Sequence, residues 1–415
     1  MNGKKSKILF IGFTVSEAVM DAICKIDQRP QIAAHKLQWN IILGLENTIG
    51  EPIDLISSIP VNNYPLFPRI FICGSKWKHR PNANDVTLPF INIVLFKHVT
   101  RFISCLVSVS NWLIRNRRYE AKQIIIYALH SPHVIASMAA TIVFGGDVVI
   151  MIPDMPAYMD RGLKRNLIRK ILKPFDSFLL TRLMNKAKGL IVLTKQMAED
   201  FAPDVPSLVI EGAVSSKETS STFNDNYTND KSNDCGKKII MYAGNLLEAY
   251  GVKLLIDAFK LIQEENYILW IFGKGEMEKD IKATLNTDER VIYGGFIAND
   301  EFIRKASQAT VLVNPRYSDM NYTRYSFPSK VLEYMKTGCP TITTALPGIP
   351  VEYFDYVFLL QDENPEALAK LLVEICSKDK KELQIFGETA RKFVMKEKNS
   401  MRQGMRINEF LIELR

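Results

Sequence analysis

The stretch KIIMYAGNLLEAYGVKLLIDAFKLIQEENYILWIFG, residues 238–273, decides the fold class. It begins and ends with apolar, β-branched runs, at 238–244 and 267–273. The segment 251–265 between them repeats apolar residues at helical spacing: Leu254, Leu255, Ala258, Phe259 and Ile262. Continuous apolar strands joined by a helix predict one unit of a parallel sheet that is covered on both faces.

The same alternation recurs along most of the chain. Further apolar runs stand at 7–13, 123–129, 147–153, 188–194, 207–212, 290–295, 309–315 and 339–344. A chain of 415 residues with 47% apolar composition is long enough for two domains, each with its own core. We therefore predict an α/β protein of two doubly wound, Rossmann-like domains that face each other across a cleft.

A change of composition marks the boundary between the two predicted domains. From Ser215 to Gly236 the chain is nearly all polar, and such a segment has too little apolar surface to offset its ordering entropy. We predict a Rossmann-like N-terminal domain at 1–213, a polar linker at 214–236, a Rossmann-like C-terminal domain at 237–395, and a helix at 396–415 that packs back toward the N-terminal domain.

Composition excludes several classes of protein. The net charge of +8 is a mild excess, and the chain has no zinc-finger spacing, RNA-binding signature or long basic block, so we expect no nucleic-acid partner. Lys97, His98 and Arg101 interrupt the apolar stretch 89–118, which indicates an amphipathic helix rather than a membrane span. The cysteines are widely spaced, which favours a reducing, cytoplasmic compartment. They are Cys24, Cys73, Cys105, Cys235, Cys339 and Cys376.

Residues directly after parallel strands are the candidates for a binding site, because such sheets bind ligands at the carboxyl ends of their strands. In the second domain these residues include the glycines Gly244, Gly273 and Gly275, which allow backbone N–H groups to approach a phosphate. Ordinary strand-to-helix turns are an equal alternative. The charged loop residues could likewise be solvated, and Glu333 could be an exposed helix residue.

Three residues are the candidates in the first domain. Gly12, His130 and Asp154 each follow an apolar strand, so we expect them to line an acceptor site. Asp154 or His130 could orient an acceptor hydroxyl or receive its proton, as a catalytic group. A structural cap for Asp154 and a satisfied core histidine for His130 are the alternatives.

The order of the motifs resembles a known family. The stretches YAGNLLEAYGV (242–252), IFGKGEME (271–278), VIYGGF (291–296) and the long segment 313–353 resemble the bacterial retaining glycosyltransferases of the GT-B fold, in particular glycosyltransferase family 4-like members of capsule and exopolysaccharide biosynthesis. In the first domain IPDMPAYM (152–159) and the segment 190–214 carry the resemblance.

The resemblance implies a role for Glu333. In that family a helix at the nucleotide site carries the second glutamate of an E-x7-E motif, whose carboxylate accepts hydrogen bonds from the ribose diol. Glu333 matches it, whereas Tyr325 stands at the position of the first glutamate. We expect backbone groups around Tyr325 to Phe327 to replace the contacts of that glutamate.

A second departure concerns the diphosphate of the donor. Family members carry an arginine and a lysine where this chain has Asn245 and Tyr250. Arg316 and Lys330 are the expected substitutes and count as catalytic, because charge develops on the leaving diphosphate. The expected donor-binding residues are Gly244, Asn245, Gly273, Lys274, Gly275, Phe296, Arg316, Tyr325, Ser326, Phe327, Pro328, Ser329, Lys330 and Glu333.

The function implied by the resemblance is the transfer of a sugar, with retention of configuration, from a nucleotide-sugar to an oligosaccharide or lipid-linked acceptor in cell-surface polysaccharide biosynthesis. A UDP-sugar is the first expectation, with GDP- and dTDP-sugars as alternatives. No cofactor is expected, and the lack of an Asp-x-Asp motif favours a metal-independent reaction. The basic segment 161–175 predicts contact with an anionic membrane at the inner face of the cell membrane, although an ordinary surface helix fits nearly as well.

Three other functions stay open at this stage. The missing glutamate and cations allow a catalytically inactive sugar-nucleotide-binding protein. A nucleotide-sugar epimerase has no motif support. A dinucleotide-dependent oxidoreductase would need G-x-G-x-x-G after a first strand, and neither IGFTVSEA nor AGNLLEAYG supplies it.

Overall fold

The computed structural model describes residues 6–27, 30–155, 167–215 and 236–415. The chain forms two compact units. The first comprises Met1–Ala213 together with Ser400–Arg415, and the second comprises Val214–Asn399. The predicted second domain ends at 395, so the structure extends it by four residues. Most of the predicted linker 214–236 and the first part of the basic segment 161–175 lie outside the described residues.

The first unit is built on a sheet of eight strands. In spatial order these are β10 (Ser207–Val209), β9 (Gly189–Val192), β8 (Asp147–Ile152), β7 (Ala121–Tyr127), β1 (Ser6–Gly12), β2 (Asp54–Ser57), β5 (Asp85–Thr87) and β4 (Ser75–Trp77). All neighbouring pairs are parallel except β5 and β4, which are antiparallel. A separate antiparallel pair joins β3 (Phe71–Ile72) to β6 (Phe90–Ile91).

The second unit holds a six-stranded parallel sheet. Its spatial order is β13 (Val291–Gly295), β12 (Tyr267–Phe272), β11 (Lys238–Ala243), β14 (Val311–Asn314), β15 (Thr341–Thr344) and β16 (Phe358–Leu360). The interior strands are apolar on both faces, and helices cover them, as the sequence predicts. The parallel sheets and the two Rossmann-like domains confirm the predicted fold class.

The helices of the first unit are α1 (Glu17–Ile26), α2 (Ile32–Ile49), α3 (Val94–Arg115), α4 (Ser131–Phe144), α5 (Leu167–Met184), α6 (Lys195–Phe201) and α13 (Ser400–Glu413). Those of the second are α7 (Val252–Leu261), α8 (Glu278–Leu285), α9 (Asn299–Ala306), α10 (Ser329–Lys336), α11 (Pro365–Cys376) and α12 (Lys380–Glu397).

Helix α13 is the last element of the chain and packs on α2 of the first unit. The two helices approach closely where each has a glycine. A Cβ on Gly44 would lie 1.8 Å from the carbonyl oxygen of Ser400, and a Cβ on Gly404 would lie 2.1 Å from the carbonyl carbon of Gly44. Side chains larger than hydrogen at these positions would force the helices apart.

Helix α3 is amphipathic, but it points its charged residues inward. Lys97 and Arg101 are buried, together with Cys105, Val109, Trp112 and Leu113. Its outward face is apolar, with more than half of each side chain exposed at Leu95, Phe96, Val99, Ile103 and Val107. We call these five residues the apolar stripe of α3. No helix in the described parts of the chain is both long and apolar enough to cross a membrane.

Candidate functional site

Each sheet has one point where the strand order reverses, and polar residues collect there. In the first unit the chain leaves β1 toward β2 on one side and returns to β7 on the other; in the second the reversal lies between β11 and β14. Open parallel sheets bind ligands beside the carboxyl ends of the strands at such switch points. The two switch points are therefore the places to look for a site within each unit.

Glycines hold the loops of the second switch point tightly together. Gly273 has a φ of +139°, and a Cβ there would lie 1.8 Å from the carbonyl oxygen of Gly244. Gly251 has a φ of +75°, and a Cβ there would lie 1.7 Å from the carbonyl oxygen of Pro315. Gly244 donates its N–H to the carbonyl of Phe272 at 3.0 Å. These glycines allow the loops after β11, β12 and β14 to pack directly on one another.

Arg316, the second residue after β14, reaches across the switch point. Its guanidinium carbon lies 4.1 Å from the centre of the Tyr250 ring, in the loop after β11. This is a close cation–π contact. The Nε of Arg316 is buried and has no hydrogen-bond partner among the described residues. Such a group indicates a missing ligand or water rather than a finished structural contact.

Tyr334, which sequence reasoning missed, ties helix α10 to the end of β11. Its hydroxyl accepts the N–H of Ala243 and donates to the carbonyl of Ala243, each at 2.9 Å. Burial raises the pKa of Tyr334 well above its ordinary value, and the charges of Glu333 and Arg316 also act on it. Helix α10, which carries Glu333, is thus fixed to the end of β11. A buried tyrosine next to the motif glutamate was the available signal.

Lys330 and Glu333 contact each other within α10. Lys330 Nζ donates to Glu333 Oε2 at 2.7 Å, and both side chains are partly exposed. The sequence assigned one to the diphosphate and the other to the ribose, and the structure places both on one face of one helix. The helix begins at Ser329, and Pro328 is its N-cap residue.

The segment that precedes α10 is tightly packed. Thr323–Tyr325 forms a single 3₁₀ turn, and the Phe327 ring is buried 5.2 Å from the ring of Tyr353. The carbonyl oxygens of Thr323 and Ser326 would lie 2.8 Å and 2.5 Å from a Cβ on Gly348. The backbone around Tyr325 is therefore held against the loop after β15.

Two more of the expected donor-site residues lie on the other side of β11. Lys274 and Phe296 are exposed, and Lys274 Nζ lies 5.9 Å from the centre of the Phe296 ring.

Two further expected donor-site residues make local hydrogen bonds. Asn245 is exposed, and its carbonyl accepts a hydrogen bond of 2.8 Å from the hydroxyl of Tyr242. Gly275 donates its N–H to Glu278 at 3.0 Å, and this bond lowers the pKa of Glu278.

Gly12 and Asp154 lie at strand ends of the first unit, as the sequence predicts. Asp154 is exposed after β8, and its charge acts on the buried hydroxyl of Tyr127. The space beside Gly12 is filled by Gln38, whose Oε1 would lie 2.3 Å from a Cβ at position 12 and accepts the N–H of Phe13 at 2.8 Å. Gly12 therefore has a packing reason to be glycine, and its acceptor role stays a prediction.

His130 belongs to a cluster of rings at the first switch point. The ring of His133 lies 4.4 Å from it and the ring of His98 5.9 Å, and Phe13 lies 5.2 Å from both His130 and His133. Burial lowers the pKa of His130 well below its ordinary value, and the positive charge of nearby His133, Arg101, His98 and Lys97 acts in the same direction. Burial lowers the pKa of His133 to about 3.

Comparison with known proteins finds a family match within the second unit. Residues 224–393 match the family Glycosyl transferases group 1. The match spans the loops that hold Gly244, Gly273, Arg316, Lys330 and Glu333. Among characterised proteins, the amylovoran biosynthesis glycosyltransferase AmsK from Erwinia amylovora is 22% identical over 143 residues, which are 33% of this chain and 35% of AmsK. The aligned part is thus about a third of that relative's length.

Solved glycosyltransferase structures share the fold over the whole chain. Sucrose-phosphate synthase from Thermosynechococcus elongatus superposes with a TM-score of 0.65 at 15% identity, covering 98% of this chain and 99% of that one. Anabaena HepE in complex with UDP superposes with a TM-score of 0.62 at 14% identity, covering 98% and 100%. These likenesses confirm the GT-B fold that the sequence predicts.

Proposed function

We propose that the protein is a glycosyltransferase that moves a sugar from a nucleotide-sugar donor to a saccharide acceptor. One observation carries the proposal. The stretch that matches the glycosyl transferases group 1 family contains the second switch point, where Arg316 stacks on Tyr250 and Tyr334 fixes the helix that carries Glu333 to the end of β11. HepE, which shares the fold, was solved with UDP, and this supports a UDP-sugar as the first donor to test.

Glu333 is proposed to hold the ribose. Its Oε2 accepts from Lys330, and its Oε1 has no hydrogen bond among the described residues, so one carboxylate oxygen remains to accept from the ribose hydroxyls. Lys330 has two further N–H bonds to donate. The pair can therefore stay in contact while each partner also binds the donor.

Arg316 and Lys330 are proposed to stabilise the leaving diphosphate. In the transfer, the bond between the sugar's anomeric carbon and the diphosphate oxygen breaks and a bond to an acceptor oxygen forms. The electron pair leaves with the nucleotide diphosphate, and the acceptor hydroxyl loses its proton. Positive groups that are fixed in place before the reaction lower the barrier most where this charge develops. His130 and Asp154 remain the candidates to receive the proton, and we propose retention of configuration.

The acceptor is proposed to be a lipid-linked saccharide in cell-surface polysaccharide biosynthesis. The transfer is proposed to take place at the inner face of the cell membrane. The likeness to AmsK, a glycosyltransferase of exopolysaccharide biosynthesis, supports the pathway. The apolar stripe of α3 supports a lipid nearby, because the chain from Val86 to Tyr119 has no acidic residue. The side chains at 161–173 lie outside the described residues, so membrane contact through 161–175 rests on the sequence alone.

Transfer from UDP-glucose and other nucleotide-sugars to membrane lipid extracts tests the function, and proton NMR of the product's anomeric signal tests retention. We expect release of nucleoside diphosphate that depends on the lipid extract. Adding EDTA should leave the rate unchanged, because we propose that Arg316 and Lys330 replace a metal ion. Loss of turnover with EDTA and its recovery with magnesium would contradict the metal-independent reaction.

A catalytically inactive nucleotide-binding protein is the second candidate. Tyr325, Asn245 and Tyr250 favour it, because they stand where the resembling family has an acid and two cations. The two functions separate in one pair of assays. Binding of UDP without turnover of any nucleotide-sugar would support the inactive protein, whereas binding of neither UDP nor a nucleotide-sugar would exclude both.

A further inference from the structure

The inward face of α3 buries two cations. Arg101 is 5% exposed, and its guanidinium stacks 4.1 Å from the centre of the Phe90 ring. Lys97 is also 5% exposed. Burial lowers the pKa of Arg101 to about 9 and that of Lys97 to about 7. Burying a cation is unfavourable unless an anion or several hydrogen bonds compensate it.

Neutral oxygens are the partners of these cations within the described residues. Arg101 donates to the carbonyl of Ile59 at 2.9 Å, and its Nε is buried without a partner. Lys97 donates to the carbonyl of Val61 at 2.7 Å and to Asn63 Oδ1 at 3.0 Å. In the described part of the chain neither cation has a carboxylate within ion-pair distance. Lysine and arginine are almost never fully buried without such a partner.

The histidine cluster lies between these buried cations and the surface. His130 is partly exposed and His98 is exposed. Nδ1 of His130 and Nδ1 of His133 are both buried without a hydrogen-bond partner in the described residues. Just before the cluster, Ala128 has a φ of +70°, a backbone strain that is rare for alanine and concentrates at functional sites.

Two carboxylates lie near this region, and neither neutralises it. Asp27 acts on Lys97 through space, and it accepts hydrogen bonds from Asn62. Asp176 accepts from the hydroxyl of Ser131 in the first turn of α4. Burial is the main cause that lowers the pKa of His130, and the neighbouring Arg101 and Lys97 act in the same direction.

We infer that His98, His130, Arg101 and Lys97 form a subsite for a phosphoryl group attached to an apolar chain, namely the lipid phosphate of the acceptor. This inference rests on the proposed function, because it places part of that acceptor. His98 and His130 contact the phosphate from the accessible side. Arg101 and Lys97 supply positive charge from beneath.

The position of His98 is what favours a lipid phosphate over a free one. His98 follows Leu95 and Phe96 and precedes Val99 on the exposed side of α3, so it lies within the apolar stripe. The stripe is about 18 Å long, a little over three helical turns, because it runs from Leu95 to Val107 at 1.5 Å per residue. A phosphate at His98 therefore has an apolar surface beside it, along which a lipid chain can lie.

Three probes separate the sources of binding by isothermal titration calorimetry. Geranyl diphosphate carries both chemical groups, geraniol only the apolar one and inorganic pyrophosphate only the anionic one. We expect geranyl diphosphate to bind at least tenfold more tightly than either of the others. Geraniol that binds as tightly as geranyl diphosphate would overturn the inference, because the apolar stripe alone would then account for binding.

Variants test the named residues. His98→Gln and His130→Gln should each weaken geranyl diphosphate binding on the order of tenfold, since a hydrogen bond to a charged group is lost. His98 is exposed and His130 makes no side-chain cap, so both variants should fold. Arg69→Gln, at an exposed arginine of the same unit, should bind like the wild type. Unchanged affinity in both histidine variants would overturn the inference.

UDP distinguishes this inference from the proposed function. Saturating UDP should not displace geranyl diphosphate, and both histidine variants should bind UDP normally. Displacement by UDP would assign the diphosphate to the donor site and overturn the subsite. If neither UDP nor any nucleotide-sugar binds the wild type, the proposed function fails, whatever geranyl diphosphate does.

Discussion

Arg316 lies on the ring of Tyr250, with its guanidinium carbon 4.1 Å from the ring centre. The two residues come from loops after neighbouring strands, β14 and β11, on opposite sides of the strand-order reversal. Tyr250 stands where the resembling family carries a cation. In this structure the guanidinium of Arg316, from a different loop, lies beside the position of that missing cation, and the ring of Tyr250 contacts it.

Removal of this cation should lower turnover more than donor binding. We expect Arg316→Ala to reduce kcat by on the order of tenfold to a thousandfold, because the charge of the leaving diphosphate is largest in the transition state. Arg304→Ala, on the exposed surface of α9, is the matched control and should leave kcat unchanged. Steady-state kinetics at saturating donor measure both. Near-normal kcat in Arg316→Ala would place the diphosphate elsewhere.

The ring of Tyr250 should matter less than the arginine. Tyr250→Phe keeps the aromatic face, whereas Tyr250→Leu removes it and a contact of about 0.5–1 kcal/mol with it. We expect the first variant to keep kcat and the second to lower it about threefold, measured by the same assay. Equal rates for the two variants would show that the stacking does not position Arg316.

The close approach of Gly251 to Pro315 gives a test by stability. Gly251→Ala adds a Cβ 1.7 Å from the Pro315 carbonyl oxygen at a φ of +75°. Gly338→Ala is the control: the φ of Gly338 is also +75°, and the nearest atom to its new Cβ would be Oε2 of the flexible Glu388 side chain, at 3.5 Å. In urea unfolding the control should therefore lose only about 1 kcal/mol of strain energy, and Gly251→Ala clearly more. Equal losses of unfolding free energy in the two variants would show that the loops of Gly251 and Pro315 can move apart without a measurable cost.

His79 should contribute stability to the first unit that is lost as the pH rises through 9. Burial opposes the charge of this histidine, but hydrogen bonds to Asp85 at 2.8 Å and Glu46 at 2.7 Å outweigh burial and raise the pKa of His79 to about 9. The unfolded value is about 6.5, so the stabilisation is fully present below pH 6.5 and is lost as pH rises through 9. It amounts to on the order of 3 kcal/mol.

Urea unfolding between pH 6 and pH 10 measures this loss. The contribution of His79 is the difference in unfolding free energy between the wild type and His79→Gln, because other titrating groups such as Lys97 are common to both proteins. This difference should be largest below pH 6.5 and should shrink as the pH rises through 9. His98→Gln, at an exposed histidine, should keep the pH dependence of the wild type. A difference that stays constant from pH 6.5 to pH 9.5 would contradict the ion-pair account of His79.

The long strands and helices could be predicted because their apolar patterns are unambiguous. The strand at 238–244 and the helix at 251–265 appear as β11 and α7, a little shorter at their C-terminal ends. The short strands β2, β5 and β16 were missed, because three or four residues are too few for a period to show. Helix α3 was predicted as amphipathic, but nothing in its pattern shows that the charged side faces inward.

The sequence predicts only those residues of the candidate site that directly follow a strand or match a motif. Glu333 was predicted from a motif position and Arg316 as a substitute for the missing cations, and the structure stacks Arg316 on Tyr250. The contact between Lys330 and Glu333 was missed, although their spacing of three residues on a helix allows it. The cluster around Arg101 could not be predicted, because it joins residues from three distant segments of the chain.

The central claim is that the second unit binds a nucleotide through Glu333, and calorimetric titration with UDP tests it most directly. We expect the wild type to bind UDP, and Glu333→Gln to lose about 1.5–3 kcal/mol of binding free energy, because a charged acceptor for the ribose hydroxyls is replaced by a neutral amide. Glu301→Gln, on the exposed surface of α9, is the control and should bind like the wild type. Equal UDP affinity in wild type and Glu333→Gln would contradict the account.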